Sequence, residues 1–139
     1  MVHRAWPLAW FGAGLVATVL TLGGVSTSPA GELSCEGAKK IETEVAQGAE
    51  LLSVGCTYKD YKNHNSLHFD VKIKNTSDQP QRYRVNIFLD NGKAVGGLIP
   101  DKGKPPVLQP GEEAAFTYPV QGMADVADAV TILVKTISQ

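Results

Sequence analysis

The sequence predicts a mainly β protein, an antiparallel β-sandwich of six to seven strands with a short N-terminal helix. Three observations predict it. Segments within residues 67–118 carry apolar and polar side chains in alternation, the period of a half-buried strand. Turn-forming clusters at 75–80 (Asn-Thr-Ser-Asp-Gln-Pro), 90–92 (Asp-Asn-Gly) and 110–112 (Pro-Gly-Glu) break that region at short intervals. Upstream, Ala38, Ile41, Val45, Ala49 and Leu52 recur at steps of three and four, which is helical spacing.

The first 30 residues read as an export signal. His3 and Arg4 precede an apolar run from 5 to 25, and the small residues of Ser26-Thr27-Ser28-Pro29-Ala30 suit cleavage after Ala30. The alternative is a retained anchor, since residues 6–25 approach the roughly 20 apolar residues that span a bilayer. Pro7, the glycines of this run and the small residues at its end favour cleavage, so the protein is expected in the periplasm or outside the cell. Membrane attachment follows only if the segment is kept. Glu32 stands where a lipid-attachment box ending at Cys35 would need an aliphatic residue.

Residues 31–139 then form one domain, with 31–52 containing the helix and 53–139 the sandwich. The whole chain has 13 Lys+Arg against 14 Asp+Glu, too near neutrality for an electrostatic nucleic-acid binder. Cys35 and Cys56 are an even pair in an exported chain and read as a disulfide, here joining helix to sandwich. No Cys-x-x-Cys spacing favours redox or metal chemistry instead.

A strand begins within 51–58, and 62–65 (Lys-Asn-His-Asn) reads as a polar loop. Leu67, Phe69, Val71 and Ile73 share one strand face, and Tyr83, Val85, Ile87 and Leu89 share the next. The two strands read as a hairpin whose register stays open. In one register Lys74 faces Arg82 and Lys72 faces Arg84; shifted by two, Asp70 faces Arg84. A short strand at 94–99, a Pro/Gly/Lys-rich loop at 100–106, and strands at 114–120 and 129–137 complete the set. Residues 123–128 suit a helical turn. Regularly spaced short strands of this kind imply a sandwich in the immunoglobulin-like style.

Three segments resemble small bacterial exported domains of the FxLYD type: 71–77 (Val-Lys-Ile-Lys-Asn-Thr-Ser), 87–95 (Ile-Phe-Leu-Asp-Asn-Gly-Lys-Ala-Val), and 108–112 (Leu-Gln-Pro-Gly-Glu) with Phe116 following. The chain departs from that pattern at Leu89-Asp90, which lacks the Tyr of the name motif, and in its N-terminal segment. The resemblance implies a non-catalytic domain and brings no catalytic residues.

Candidate chemistry is sparse. His64 and His68 fall on one strand face and could hold a metal ion with Asp60 or Asp70, making a small-ligand or metal carrier. Lys72, Lys74, Arg82 and Arg84, with Phe88, form a candidate docking face for a protein partner. The 100–106 loop could instead enter an enzyme as a regulator or inhibitor. Asn75-Thr76-Ser77 fits a glycosylation sequon. Glu112 and Glu113 are adjacent on a strand and point apart, so they make no acid–base pair. No nucleophile elbow or phosphate-cradling loop is visible, and no cofactor is implied. The sequence therefore points to a non-catalytic exported interaction module, an accessory subunit of an envelope or extracellular assembly.

Overall fold

The structure, a computed structural model, describes residues 32–137. The expected leader, residues 1–30, lies outside them. The strands are β1 (Glu32–Ser34), β2 (Lys40–Val45), β3 (Ala49–Tyr61), β4 (His64–Asn75), β5 (Arg82–Leu89), β6 (Ala94–Ile99), β7 (Glu113–Pro119) and β8 (Ala129–Ile137). They make two four-stranded sheets, a front sheet ordered β1-β3-β4-β7 and a back sheet ordered β2-β8-β5-β6. The β-sandwich is as the alternation predicts, with eight strands rather than six or seven.

The core is the sum of the alternating faces. Leu67, Phe69, Val71 and Ile73 of β4 are fully buried, as are Tyr83, Val85 and Ile87 of β5 and Ile132 of β8. Each large apolar side chain removed from water contributes about 1.5–3 kcal/mol before entropy is charged against it.

The N-terminal helix is absent; β2 and the start of β3 stand in its place. The pattern misleads for two reasons. A step of four, as from Ile41 to Val45 in β2, returns to the same face of a strand as well as of a helix, and the further step to Ala49 crosses the turn at Gly48 into β3. The step of three from Ala49 to Leu52 ends on a bulge residue: Leu51 pairs with Ile73 and Ser53 with Lys72, leaving Leu52 extra. The β-branched residues Ile41, Thr43 and Val45 also favour the strand. β2 runs parallel to β8, with Ile41 beside Val130 and Val45 beside Val134. Gly48, at φ +83°, then turns the chain back to the front sheet.

The 62–65 loop is also shorter than predicted. Lys62 (φ 53°) and Asn63 (φ 65°) alone make the turn, and His64 already pairs with Tyr61. Two consecutive left-handed residues are the signature of the two-residue type I′ hairpin. Residues 123–128 form no helical turn. They run as irregular chain with Met123 and Ala127 buried, and the Met123 carbonyl accepts the Leu67 N–H at 2.7 Å.

The largest correction concerns β4 and β5. They do not form a hairpin, and neither register considered for it exists. β4 is flanked by β3 and β7, β5 by β6 and β8, so residues 76–81 cross from one layer to the other. Alternation states which face of a strand is buried; it is silent on which sheet the strand joins.

Asn75 anchors that crossing. It is fully buried, and its Nδ2 donates to the carbonyls of Gln79 (2.8 Å) and Leu108 (2.9 Å). Its Oδ1 accepts from the Ser77 N–H (2.9 Å) and Ser77 Oγ (2.7 Å). With both amide hydrogens engaged inside the protein, the sequon offers no acceptor nitrogen in the folded domain. The turn at 110–112 packs on the same residue, since Asn75 N–H donates to Glu112 O and Gly111 N–H to Asn75 O.

The Tyr118 hydroxyl is buried and has no hydrogen-bond partner among the described residues. Burial, and secondarily the charge of Asp101, push this phenol far above its ordinary range. Tyr118→Phe should therefore raise stability, on the order of 1 kcal/mol, in denaturant unfolding near neutral pH. A phenol with a raised folded pKa contributes stability that is complete below about pH 10, where the unfolded phenol titrates, and is lost as pH rises further. The wild type should weaken above that pH, and Tyr118→Phe should weaken less steeply.

Candidate interaction surface

Cys35 and Cys56 form the expected disulfide, with Cα atoms 4.7 Å apart. The parallel β1–β3 register ends at Ser34 beside Gly55, and the disulfide joins the next position on each strand. It therefore staples an edge strand to β3, not a helix to the sandwich.

His64 and His68 share the outer face of β4, but at a rise of roughly 3.3 Å per residue their Cα atoms stand about 13 Å apart. His64 is exposed at the strand's start. His68 is buried, with Nδ1 2.8 Å from the Ser66 carbonyl and the Tyr61 ring edge-on to it at 6.1 Å. A carbonyl only accepts, so Nδ1 carries the proton. Of the two acids offered as ligands, Asp60 lies on β3 opposite Asn65, and Asp70 accepts from the hydroxyls of Thr57 (3.0 Å) and Thr117 (2.5 Å) on the strands to either side. Among the described residues no three His, Cys, Asp or Glu side chains converge on a point that could hold a metal.

The four basic residues do not form one patch. Lys72 and Lys74 lie on the outer face of the front sheet, whereas Arg82 and Arg84 lie on the outer face of the back sheet. The separation follows directly from the lost β4–β5 hairpin. The front-sheet lysines are also matched by acids. Lys72 Nζ is 2.5 Å from Glu113 Oε2, and Lys74 sits in register with Glu113 on one side and Glu50 on the other. The Lys72 hydrogen bond, followed by the charges of Lys72 and Lys74, holds the Glu113 carboxyl below its ordinary value.

The back sheet is different. Arg82 turns to the 100–106 loop, where Nε donates to the Pro100 carbonyl at 3.2 Å, so it supports that loop. Arg84 makes no ion pair or side-chain hydrogen bond among the described residues, and it stands directly across from Lys135 of β8. Phe88 lies on the same face at 46% exposure. A shallow hollow of about 340 Å³ separates Arg84 from Phe88 and is lined also by Asn86 and residues 94–97 of β6. Gly96, in its lining, can only be glycine. A Cβ there would lie 2.1 Å from the Val85 carbonyl oxygen, a contact no other residue tolerates.

No protein-family model, curated protein or solved structure matches this chain.

Of the residues singled out in the sequence, Arg84 and Phe88 thus share one face and one hollow, four positions and about 13 Å apart along β5. Lys135 completes the group and was missed. Its signal was present, because residues 130, 132 and 134 alternate inward and leave 135 outward. What the sequence did not show was that β8 lies beside β5. The 100–106 loop is exposed from 101 to 105 and is held at its ends by Arg82 and by the Gln81–Leu108 bridge.

Proposed function

We propose that this chain is an exported, non-catalytic interaction module of the immunoglobulin-like, FxLYD type, an accessory subunit of an envelope or extracellular assembly. Its docking face is the outer face of the back sheet. The observation that carries this reading is the pairing of Arg84 with Lys135 on the face where exposed Phe88 lines the same hollow as Arg84. Like charges directly across paired strands cost a few tenths to about 1 kcal/mol, and a carboxylate-bearing partner relieves that cost. The Phe88 ring, at the other end of the same hollow, supplies the apolar anchor that interfaces favour. The disulfide supports export to an oxidising compartment. Two facing four-stranded sheets with strands that cross between them support the immunoglobulin-like assignment.

The test is recovery of partners on the full-length protein from its native envelope. Wild type should retain a stoichiometric partner. Phe88→Ala and Arg84→Glu should each weaken retention about tenfold or more, while Lys72→Glu, Lys74→Glu and His64→Ala leave it unchanged. Equal recovery across all variants would overturn the assigned face.

A further inference from the structure

We propose that the partner engages this face as an added strand: an acidic, extended peptide segment pairing with the free edge of β6. The inference rests on the interaction-module reading and specifies its chemistry.

Each sheet has two edges, and three of the four are guarded. β1 is three residues long, β2 carries Lys40, Glu42 and Glu44, and β7 opens with Glu113 and closes with Pro119. Short length, charge and proline are the usual protections against strand addition. β6, Ala-Val-Gly-Gly-Leu-Ile, has none of them. The Leu89 N–H donates to the Lys93 carbonyl at 2.9 Å, and with the β5–β6 register this fixes the alternation. Val95, Gly97 and Ile99 bond inward to β5, so Ala94, Gly96 and Leu98 direct their main-chain groups away from it. Such an edge accepts an extended chain through sequence-independent hydrogen bonds, with side-chain pockets supplying selectivity.

Charge selects the occupant. Lys93 precedes β6, Lys102 and Lys104 follow it, and Arg84 flanks it on the outer face. Asp90 and Asp101 lie among these residues, but the four basic groups outnumber them, so the ends of β6 carry a net positive charge that an acidic strand complements. The side chains of an added strand alternate between faces. Outward positions meet Arg84 and the hollow over Gly96, and inward positions meet the seam where Gly97 packs on Tyr118. The expected ligand therefore alternates acidic and apolar residues.

The experiment uses full-length protein and three synthetic ten-residue peptides: one alternating Asp and Val, one alternating Lys and Val, and the Asp/Val peptide N-methylated at every second residue. Binding is followed by fluorescence anisotropy, and amide exchange at 94, 96 and 98 is measured alongside. The Asp/Val peptide should saturate, slow exchange at those three amides, and lose about tenfold in affinity on Arg84→Glu. The Lys/Val and N-methylated peptides should bind at least tenfold more weakly. Equal binding of the N-methylated peptide would show charge attraction without strand addition and overturn the proposal. So would absence of saturation below about 1 mM, or self-association of the protein through 94–99. If the peptides fail while envelope recovery still depends on Phe88 and Arg84, the docking face stands and strand addition falls. If both fail, the interaction-module reading falls with it.

Discussion

Asn75→Asp is expected to destabilise the domain more than any other single-atom-group exchange discussed. The amide group at this fully buried position donates to two carbonyls, Gln79 O and Leu108 O, while its oxygen accepts from two groups of Ser77. The Tyr83 hydroxyl lies 3.0 Å from the same oxygen and 2.7 Å from Gly48 O, and shares its one hydrogen between them. Asn75→Ala leaves these groups without partners, and each buried orphan costs roughly 1–3 kcal/mol, so a total loss of about 3 kcal/mol is expected. Asn75→Asp preserves the shape but turns two hydrogen bonds into contacts between a buried carboxylate and carbonyl oxygens, which is worse at neutral pH. Burial raises the pKa of such a carboxyl, so the folded state binds a proton that the unfolded state has released. The variant's deficit should then shrink as pH falls through the raised pKa, because the protonated carboxyl donates one hydrogen bond. Denaturant midpoints of the wild type and both variants at pH 7 and pH 5 measure this. A deficit below about 1 kcal/mol for Asn75→Asp at pH 7, or one independent of pH, would contradict the assigned hydrogen bonding.

Asn75 also explains what the turn motifs were reporting. The clusters at 75–77 and 108–112 looked like separate turn signals, yet Leu108 O accepts from Asn75 Nδ2, and Gly111 N and Glu112 O bond its main chain. They are two halves of one buried polar junction between the layers. Local chemistry made each half readable; their meeting depends on contacts 33 residues apart, which no local pattern encodes.

The same distinction separates the rest of the fold. Inward faces on β4, β5, β7 and β8 were legible because burial of one face imposes a period of two. Sheet membership was not, because both layers impose the same period. Ile41 and Val45 satisfy both periods at once, the step to Ala49 spans the turn between β2 and β3, and the bulge at Leu52 puts a helical step inside a strand. The candidate surface inherited these errors. Arg84 and Phe88 were identifiable as outward residues of one strand. Their separation from Lys72 and Lys74, and their company with Lys135, followed only from the order β2-β8-β5-β6. Turn chemistry gave a similar mixture. Asp90-Asn91-Gly92 is the turn between β5 and β6, with Gly92 at φ +81° and Asn91 Oδ1 accepting the Lys93 N–H at 3.0 Å. At 62–65 the left-handed Lys62 concealed an equally tight turn, because lysine carries no turn signal.

Removing the disulfide should cost less than Asn75→Asp in total but reveal more about where stability resides. Cys35 and Cys56 are 21 positions apart, and closing a loop of that size stabilises by roughly 3 kcal/mol through the unfolded chain. On the folded side the bond extends a parallel ladder of only three positions, 32–34 against 53–55, at the edge of the front sheet. β2, by contrast, pairs with β8 over six positions and packs Ile41 and Val45 against the core. Replacing both cysteines with serine should therefore detach β1 and the 36–39 connection while β2 through β8 stay folded. Hydrogen exchange should show protection lost at residues 33–35 and kept at 67–73 and 130–134, with a denaturant midpoint lowered by an amount matching roughly 3 kcal/mol. Uniform loss of protection across both sheets would mean that the β1–β3 staple organises the whole sandwich. An unchanged midpoint would mean that the β1–β3 ladder holds without it.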